Sequence, residues 1–407
     1  MELNRRTTEG KPTLEVRLNG ARELAERAAR ALAAVAPVDR ATHGFHAWPA
    51  GLHPDAARDL LQLIPPGPVL DPFCGGGTTL VEALLAGRAA YGSDLSPIAL
   101  LVASLRTAVT DPATRTSIRS AARRITESAR FGAHLPPPAL LEAVAAWYEP
   151  HVLRELEAIR AALARLEQSI EAEPGARSSG TQVHRILLGL FSSILIKVSH
   201  QASDSDVSAV PTQRPEGTTA ILFHKKAREL SRRLEALAAA IPLGASGGEH
   251  PQARLRRADA RTLSGDLRVA GILTSPPYPG VYDYVPIQSL RHAWLGLDVD
   301  EGAEIGSRRA WRRDPSLQVE RWRADTDAWM RASGRMVQRG GRVIIVIGDG
   351  LVDVPGETAP QPVDAERATL DAGRRLGWRP VAGASLLRPD HARRSARWEH
   401  AIVFDLP

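Results

Sequence analysis

VLDPFCGGGTTLVEALLAGRAAYGSDLS, residues 69–96, decides the fold. VLDPF reads as a buried strand, GGGTT as a sharp turn into a helix, LVEALLAG as that helix closed by Gly87, and AAYGSDLS as a second strand. Strand, helix and strand in so few residues make a β-α-β unit, which needs a parallel sheet with helices on both faces.

Outward from this unit, residues 21–37 show helical periodicity ending at a proline, so residues 1–40 form an N-terminal helical extension. HGFHAWPAGLHPDAARDLLQLIPPG leads in through a loop and a short helix. From about residue 100 to 250 the rhythm changes to long Ala/Leu/Arg/Glu segments. VHRILLGLFSSILIKVS and HKKARELSRRLEALAAAI read as helices, and no strand rhythm is evident. Strand signals return in ARLRRADA, GILTS, GRVIIVIGD, RPVAGASLL and ARWEHAIVFDL, with a helix at 364–376. The expected organisation is the extension 1–40, a core in two parts (41–105 and 251–407), and a helical insertion at 106–250. Together the parts predict an α/β fold with about seven strands in a mostly parallel sheet.

The chain has 407 residues, one cysteine (Cys74) and a formal net charge of +6. A lone cysteine excludes an internal disulfide framework and a four-cysteine zinc module, which suits a reducing cytoplasm. No stretch approaches roughly 20 uninterrupted apolar residues, and MELNRRTTEGK lacks the apolar region of a secretory signal, so a cytoplasmic protein without a membrane segment is expected. The basic balance points mildly to a polyanionic partner.

Glycine at 75–77 lets the backbone approach a ligand, and the following helix presents free N–H groups. Asp94 ends the second strand, 23 positions after Asp71 (94 − 71), where a ribose acceptor is expected. The spacing is not GxGxxG, however, and Asp71 precedes the loop. A carboxylate there repels pyrophosphate and attracts a cation, which favours S-adenosylmethionine. The alternative is a tight strand-to-helix turn with Asp94 as a helix cap. Cys74 packs in the loop, and nothing marks it as a nucleophile.

GILTSPPYPG, residues 271–280, is the second decisive stretch. Two prolines fix their own φ and disfavour helix in the residue before each. The outcome is a rigid array of acceptors, suited to an exocyclic amine whose lone pair is delocalised into a base. If Ser275 and the carbonyl of Pro276 accept the amine's hydrogens, its lone pair is aimed for attack. Tyr278 would stack on a base held out of its duplex. The bland alternative is a strand-ending Pro-Pro turn with a packed tyrosine.

DPFCGGGTT followed by TSPPY resembles the amino-group DNA methyltransferases, and SPPY looks most like their cytosine-N4 branch. The resemblance implies the Rossmann-like class I methyltransferase fold, a seven-stranded mostly parallel sheet whose last strand is reversed. The resemblance covers residues 41–105 and 254–407. It implies an S-adenosylmethionine site with Asp71, Phe73, Cys74, Gly75, Gly77 and Thr78 in the cofactor loop, Asp94 and Leu95 at the ribose, and Asp259 and Ala260 near the adenine. FHAWPAGLHP resembles the segment covering the methionine end, which implies roles for His46 and Pro49. Ser275, Pro276, Pro277 and Tyr278 look like the catalytic tetrad. The insertion departs from the family pattern, so how a sequence would be read is open. Cytosine-C5 chemistry is disfavoured, since the only cysteine lies in the cofactor loop.

For a nucleic-acid partner, GSRRAWRRDPSLQVERWRAD (306–325) interleaves arginine with tryptophan. Arg308, Arg309, Arg312 and Arg313 would neutralise phosphates while Trp311 or Trp322 packs on sugar or base. A solvated helix face with a buried tryptophan is the alternative. Arg393, Arg394 and Arg397, in the turn between the final strands, are further candidates, and HKKARELSRRL at 224–234 suits a helix surface. His43, His46 and His53 lack metal-ligand spacing, so no metal is expected. SHQASDSDV at 199–207 reads as a loop or cap beside the cleft.

The expected activity is methyl transfer from S-adenosylmethionine to cytosine N4 in duplex DNA after base flipping. Adenine N6 in DNA, guanine N2 in RNA, and a binding protein that has lost its chemistry are the alternatives. The recognition site, the oligomeric state and any separately acting restriction endonuclease, as in restriction-modification systems, are not legible.

Overall fold

A computed structural model describes residues 15–130, 133–172, 177–243, 250–352, 361–390 and 395–407. Strand β1 (Val16–Gly20) and helix α1 (Arg22–Leu32) come first, then α2 (Pro54–Leu61), β2 (Val69–Asp71), α3 (Thr78–Leu85), β3 (Ala90–Asp94) and α4 (Pro97–Arg106). The β-α-β unit at 69–94 is therefore present. Ser96 caps α4 by accepting from the Ala99 N–H, with Pro97 in its first turn.

Between β3 and the next strand of the main sheet lie α5 (Pro112–Ala129), α6 (Pro138–Val144), α7 (Pro150–Ala172), α8 (Arg177–Leu195), a hairpin of β4 (Gln201–Ser203) and β5 (Asp206–Ala209), and α9 (Thr218–Ala240). The hairpin corrects the expectation that this stretch has no strands. It is short and exposed along β5, so no apolar alternation betrays it. Ser179–Val198 is long and apolar enough to cross a membrane, contrary to the expectation for the chain, but 72% of that window is buried. Its side chains join α5, α7 and α9 in one apolar cluster, so internal packing accounts for its composition.

The remainder comprises β6 (Ala253–Arg257), β7 (Val269–Thr274), α10 (Tyr284–Ile287), α11 (Ser289–Leu295), α12 (Arg308–Arg313), α13 (Pro315–Gly334), β8 (Val337–Gly348), the pair β9 (Gly350–Val352) and β10 (Gln361–Val363), α14 (Ala365–Arg375), β11 (Arg379–Asp390) and β12 (Ser395–Asp405). The main sheet runs β1-β11-β12-β8-β7-β2-β3-β6. Strands β6, β3, β2, β7 and β8 are mutually parallel, and β12 runs antiparallel to both β8 and β11. Without β1, chain order across the sheet is 3-2-1-4-5-7-6 with the last strand reversed, which is the Rossmann-like α/β arrangement expected. The eighth strand, β1, was not expected. It pairs antiparallel with β11 from Val16↔Leu386 to Gly20↔Ala382, and it is exposed along its whole length, so no buried face marks it in the sequence.

One face of the sheet is covered by α1, α2 and α3, the other by α13 and α14. At the centre β2 is flanked by β3 and β7, whose connections leave in opposite directions. That reversal opens a crevice at the carboxyl ends of these strands, where ligands bind in such sheets.

Candidate active site

Two cavities open at this crevice. The first is lined from β2 and its loop by Asp71, Phe73, Cys74, Gly75 and Thr78, from the end of β3 by Asp94 and Leu95, from the turn after β6 by Asp259 and Ala260, and from the loop after β7 by Ser275 and Pro277. Eleven residues singled out in the sequence thus share one wall. His46, Pro49, Gly77 and Pro276 are not among its lining residues. His46 is a correction: its ring is buried and turns away, with Nε2 3.0 Å from Ser192 Oγ on α8, so it ties the loop to the helical segment. Trp48, two residues on, lines the cavity instead.

Asp71 is buried at the tip of β2. Its Oδ1 accepts from Thr274 Oγ1 at 2.7 Å and from the Phe73 N–H at 3.1 Å. The first bond joins the ends of β2 and β7 directly, immediately before Ser275. Gly75 takes φ +47°, and a Cβ there would meet Trp48 Nε1 at 2.7 Å, so only glycine lets this loop pass beneath the tryptophan. The Gly75 N–H donates to Asp94 Oδ2 and the Ser96 N–H to Asp94 Oδ1, both at 2.9 Å. Asp94 therefore faces the cavity and ties the glycine loop to the turn before α4, whose cap is Ser96.

Burial pushes the carboxyls of Asp71 and Asp94 up to about 6. Their hydrogen bonds come from neutral donors, and a cavity walled by two such groups favours a cationic ligand. Asp259 behaves differently. Burial acts upward on it too, but the Arg261 guanidinium, at 2.7 to 3.0 Å from its oxygens, brings it below the usual range. Burial pushes the Cys74 thiol well up, so it stays protonated and inert.

The second cavity adjoins the first through Ser275, which lines both, and is walled by Tyr278, Tyr282, Arg388, Arg397 and Glu399 together with Leu32 and Ala34. Ser275 Oγ lies 3.5 Å from the Tyr278 hydroxyl, which donates to Glu399 Oε1 at 3.0 Å. Arg388 pairs with Glu399 and donates to the Leu32 carbonyl at the end of α1. The Tyr278 ring lies against Gly348, where a Cβ would come within 2.7 Å of it. The Arg397 guanidinium sits 5.8 Å from the ring centroid. Sequence reasoning found Tyr278 and Arg397 but missed Arg388, Glu399, Trp48, Tyr284 and Glu304. Of these, Trp48 lay in FHAWPAGLHP, Arg388 in the turn between the final strands and Glu399 in a segment read as a strand, while Tyr284 and Glu304 lay in no stretch singled out.

The tryptophans expected on a nucleic-acid surface are a second correction. Trp311 is buried against the turn at Gly280, and Trp322 is buried with Nε1 donating to the Pro277 carbonyl at 3.4 Å. They brace the SPPY loop from behind, and neither ring is free for sugar or base. Arg308 and Arg309 both lie near Asp283, while Arg312 and Arg313 are exposed. Arg393 and Arg394 lie outside the described residues. Asp204, in the β4–β5 hairpin, pairs with Arg291 on α11. Among the described residues, no group of three His, Cys, Asp or Glu side chains could hold a metal ion.

No known family profile matches the chain. It is similar to the type II methyltransferase M.MvaI of Kocuria varians, with 34% identity over 76 residues, 17% of this chain and 17% of that protein's length. Among solved structures it is similar to TrmN from Thermus thermophilus (TM-score 0.31, 12% identity, 87% of this chain and 49% of the other). It is also similar to the rRNA methyltransferase aviRa from Streptomyces viridochromogenes (TM-score 0.31, 12% identity, 90% of each). Overlays this loose carry no argument about fold or substrate. The fold rests on the strand order itself.

Proposed function

We propose that this protein is an S-adenosylmethionine-dependent methyltransferase acting on an exocyclic amine of a nucleobase, cytosine N4 in DNA. The observation that carries this reading is Ser275, a polar acceptor lining the shared boundary of two cavities, one walled by buried carboxylates and the other by an aromatic ring under an arginine. The short match to a methyltransferase supports the same chemistry.

In this reading residues 41–105 and 251–407 form the catalytic core, and 106–250 is an inserted helical unit bracing the loops through Ser192 and Asp204. The first cavity fits the cofactor. Asp71 and Asp94 supply acceptors with no counter-ion of their own, suited to an ammonium and to ribose hydroxyls, and the Gly75 loop admits close approach. When bound, the cofactor supplies an electrophilic methyl group on a sulfonium.

The chain's residues do the rest. The Asp71–Thr274 bond fixes the separation between cofactor loop and SPPY loop. Ser275 and the Pro276 carbonyl hold the amine's two hydrogens and so direct its lone pair toward the first cavity. Tyr278, held by Gly348 on one side and Glu399 at its hydroxyl, offers its ring to the base. The amine becomes acidic only once it carries its new substituent, so no strong general base is needed. Arg397 and the exposed Arg312 and Arg313 are the positive groups proposed for DNA phosphates.

The test is incubation of the protein with methyl-labelled cofactor and either duplex DNA or total RNA, followed by digestion to nucleosides. N4-methylcytosine from DNA is expected. Label found only on adenine, or only in RNA, would overturn the choice of base or of nucleic acid while keeping the methyltransferase.

A further inference from the structure

Glu304 lines the first cavity alongside Asp94 and Asp259, 45 positions after Asp259 (304 − 259) and on no motif. Its Oε1 accepts from the backbone N–H of Tyr284. Its Oε2 is buried and has no hydrogen-bond partner among the described residues. A carboxylate oxygen shut off from water without a donor is destabilising, and such a group in a ligand cavity waits for a donor on the ligand.

The resemblance to amino-group methyltransferases points to Asp259 as the residue near the adenine, yet that carboxylate is taken. Arg261 donates to both its oxygens from the side chain, and the Arg261 backbone N–H adds a third donor at 2.9 Å. The same guanidinium reaches the Ala303 carbonyl at 3.2 Å and Asp325 at 3.2 Å. Arg261 therefore occupies Asp259 and, in the same grip, pins the segment carrying Glu304 against the turn that carries Asp259. Of the cavity's other acidic groups, Asp300 is exposed and accepts from the Gly302 N–H, while Asp71 and Asp94 lie at the ends of β2 and β3, where the ammonium and the ribose hydroxyls are their natural donors. The remaining amine of an adenosyl cofactor is on its purine ring. Burial, the largest influence on Glu304, pushes its carboxyl up to about 7, as expected of an acceptor that lacks its donor.

We propose that Glu304, in place of Asp259, accepts a hydrogen bond from the 6-amino group of the cofactor's adenine. The proposal rests on reading the first cavity as the cofactor site. It makes Glu304 a contact that discriminates adenine from other purines.

The test is calorimetric and needs no turnover. Binding of the demethylated adenosyl thioether is compared with that of its 6-deamino purine analogue. The unsubstituted protein should bind the adenosyl form roughly tenfold to a hundredfold more tightly. Glu304→Gln has a single acceptor for two donors, Tyr284 N–H and the amine, so discrimination should fall to within about threefold. A merely structural Glu304 would weaken both ligands alike and leave their ratio unchanged, which would overturn the proposal, as would equal binding of the two ligands by the unsubstituted protein. Failure of the unsubstituted protein to bind either ligand would overturn the cofactor site itself as well.

Discussion

Thr274 is a small residue with a large geometric role. Its hydroxyl bonds a buried aspartate at the tip of the neighbouring strand, so the loop that follows it cannot drift from the glycine loop. Thr274→Val keeps shape and branching but strips a donor from a buried carboxylate. We expect a loss of about 1–3 kcal/mol in denaturant unfolding, with weaker turnover. One position on, Ser275→Ala should lower turnover by roughly a hundredfold while cofactor affinity, measured by calorimetry, changes little. Comparable loss of both would contradict the role given to Ser275. At this scale Asp71, Asp94 and Ser275 were legible because each ends a strand or directly follows one, within a recognisable turn. Glu399 was not. It meets Tyr278 across 121 positions of sequence, on a strand whose alternation speaks only of the sheet. Glu304 was hidden for the same reason, since nothing local distinguishes a carboxylate that faces a cavity from one that faces water.

The elements tell a similar story at greater length. Buried parallel strands announce themselves as continuous apolar runs, and β7 and most of β8 did so. Edge strands do not, and β1 and the β4–β5 hairpin went unread. Yet β1 with α1 stands beside the second cavity: α1 ends at Leu32, whose carbonyl receives Arg388, and Leu32 and Ala34 wall that cavity. Deleting residues 1–33 should expose the β11 edge and promote association, seen by light scattering. Cofactor affinity of the remaining monomer should persist, because α1 and β1 contribute nothing to the first cavity's lining. On the hairpin of β11 and β12, Arg397→Ala should weaken DNA binding and reduce its logarithmic salt slope by about one, measured by fluorescence anisotropy across salt concentrations.

At the scale of the molecule, acidic groups are concentrated in one cavity of a basic protein. Asp71 is pushed up to about 6 from a usual 3.8, so the folded chain holds this proton more tightly than the unfolded one. Stability from this group is therefore full below about 4 and is lost as pH rises through 6, a difference of about 3 kcal/mol at 1.4 kcal/mol per pH unit. A bound cation reverses the balance by favouring the ionised form. Cofactor affinity should thus fall as pH drops below 6, and binding at pH 6 should release protons. Calorimetry in buffers of different ionisation enthalpy reads that release, and Asp71→Asn should remove part of it.

The antiparallel pairing of Val16 with Leu386 also sets an order of assembly. Among the described residues β1 pairs with β11 alone, 370 positions on in the case of Val16 and Leu386 (386 − 16), so it waits while the long helical segment between them collapses on itself. Until β11 has been made β1 lies beside an unfinished sheet, and a nascent chain stalled before residue 379 has nowhere to dock it.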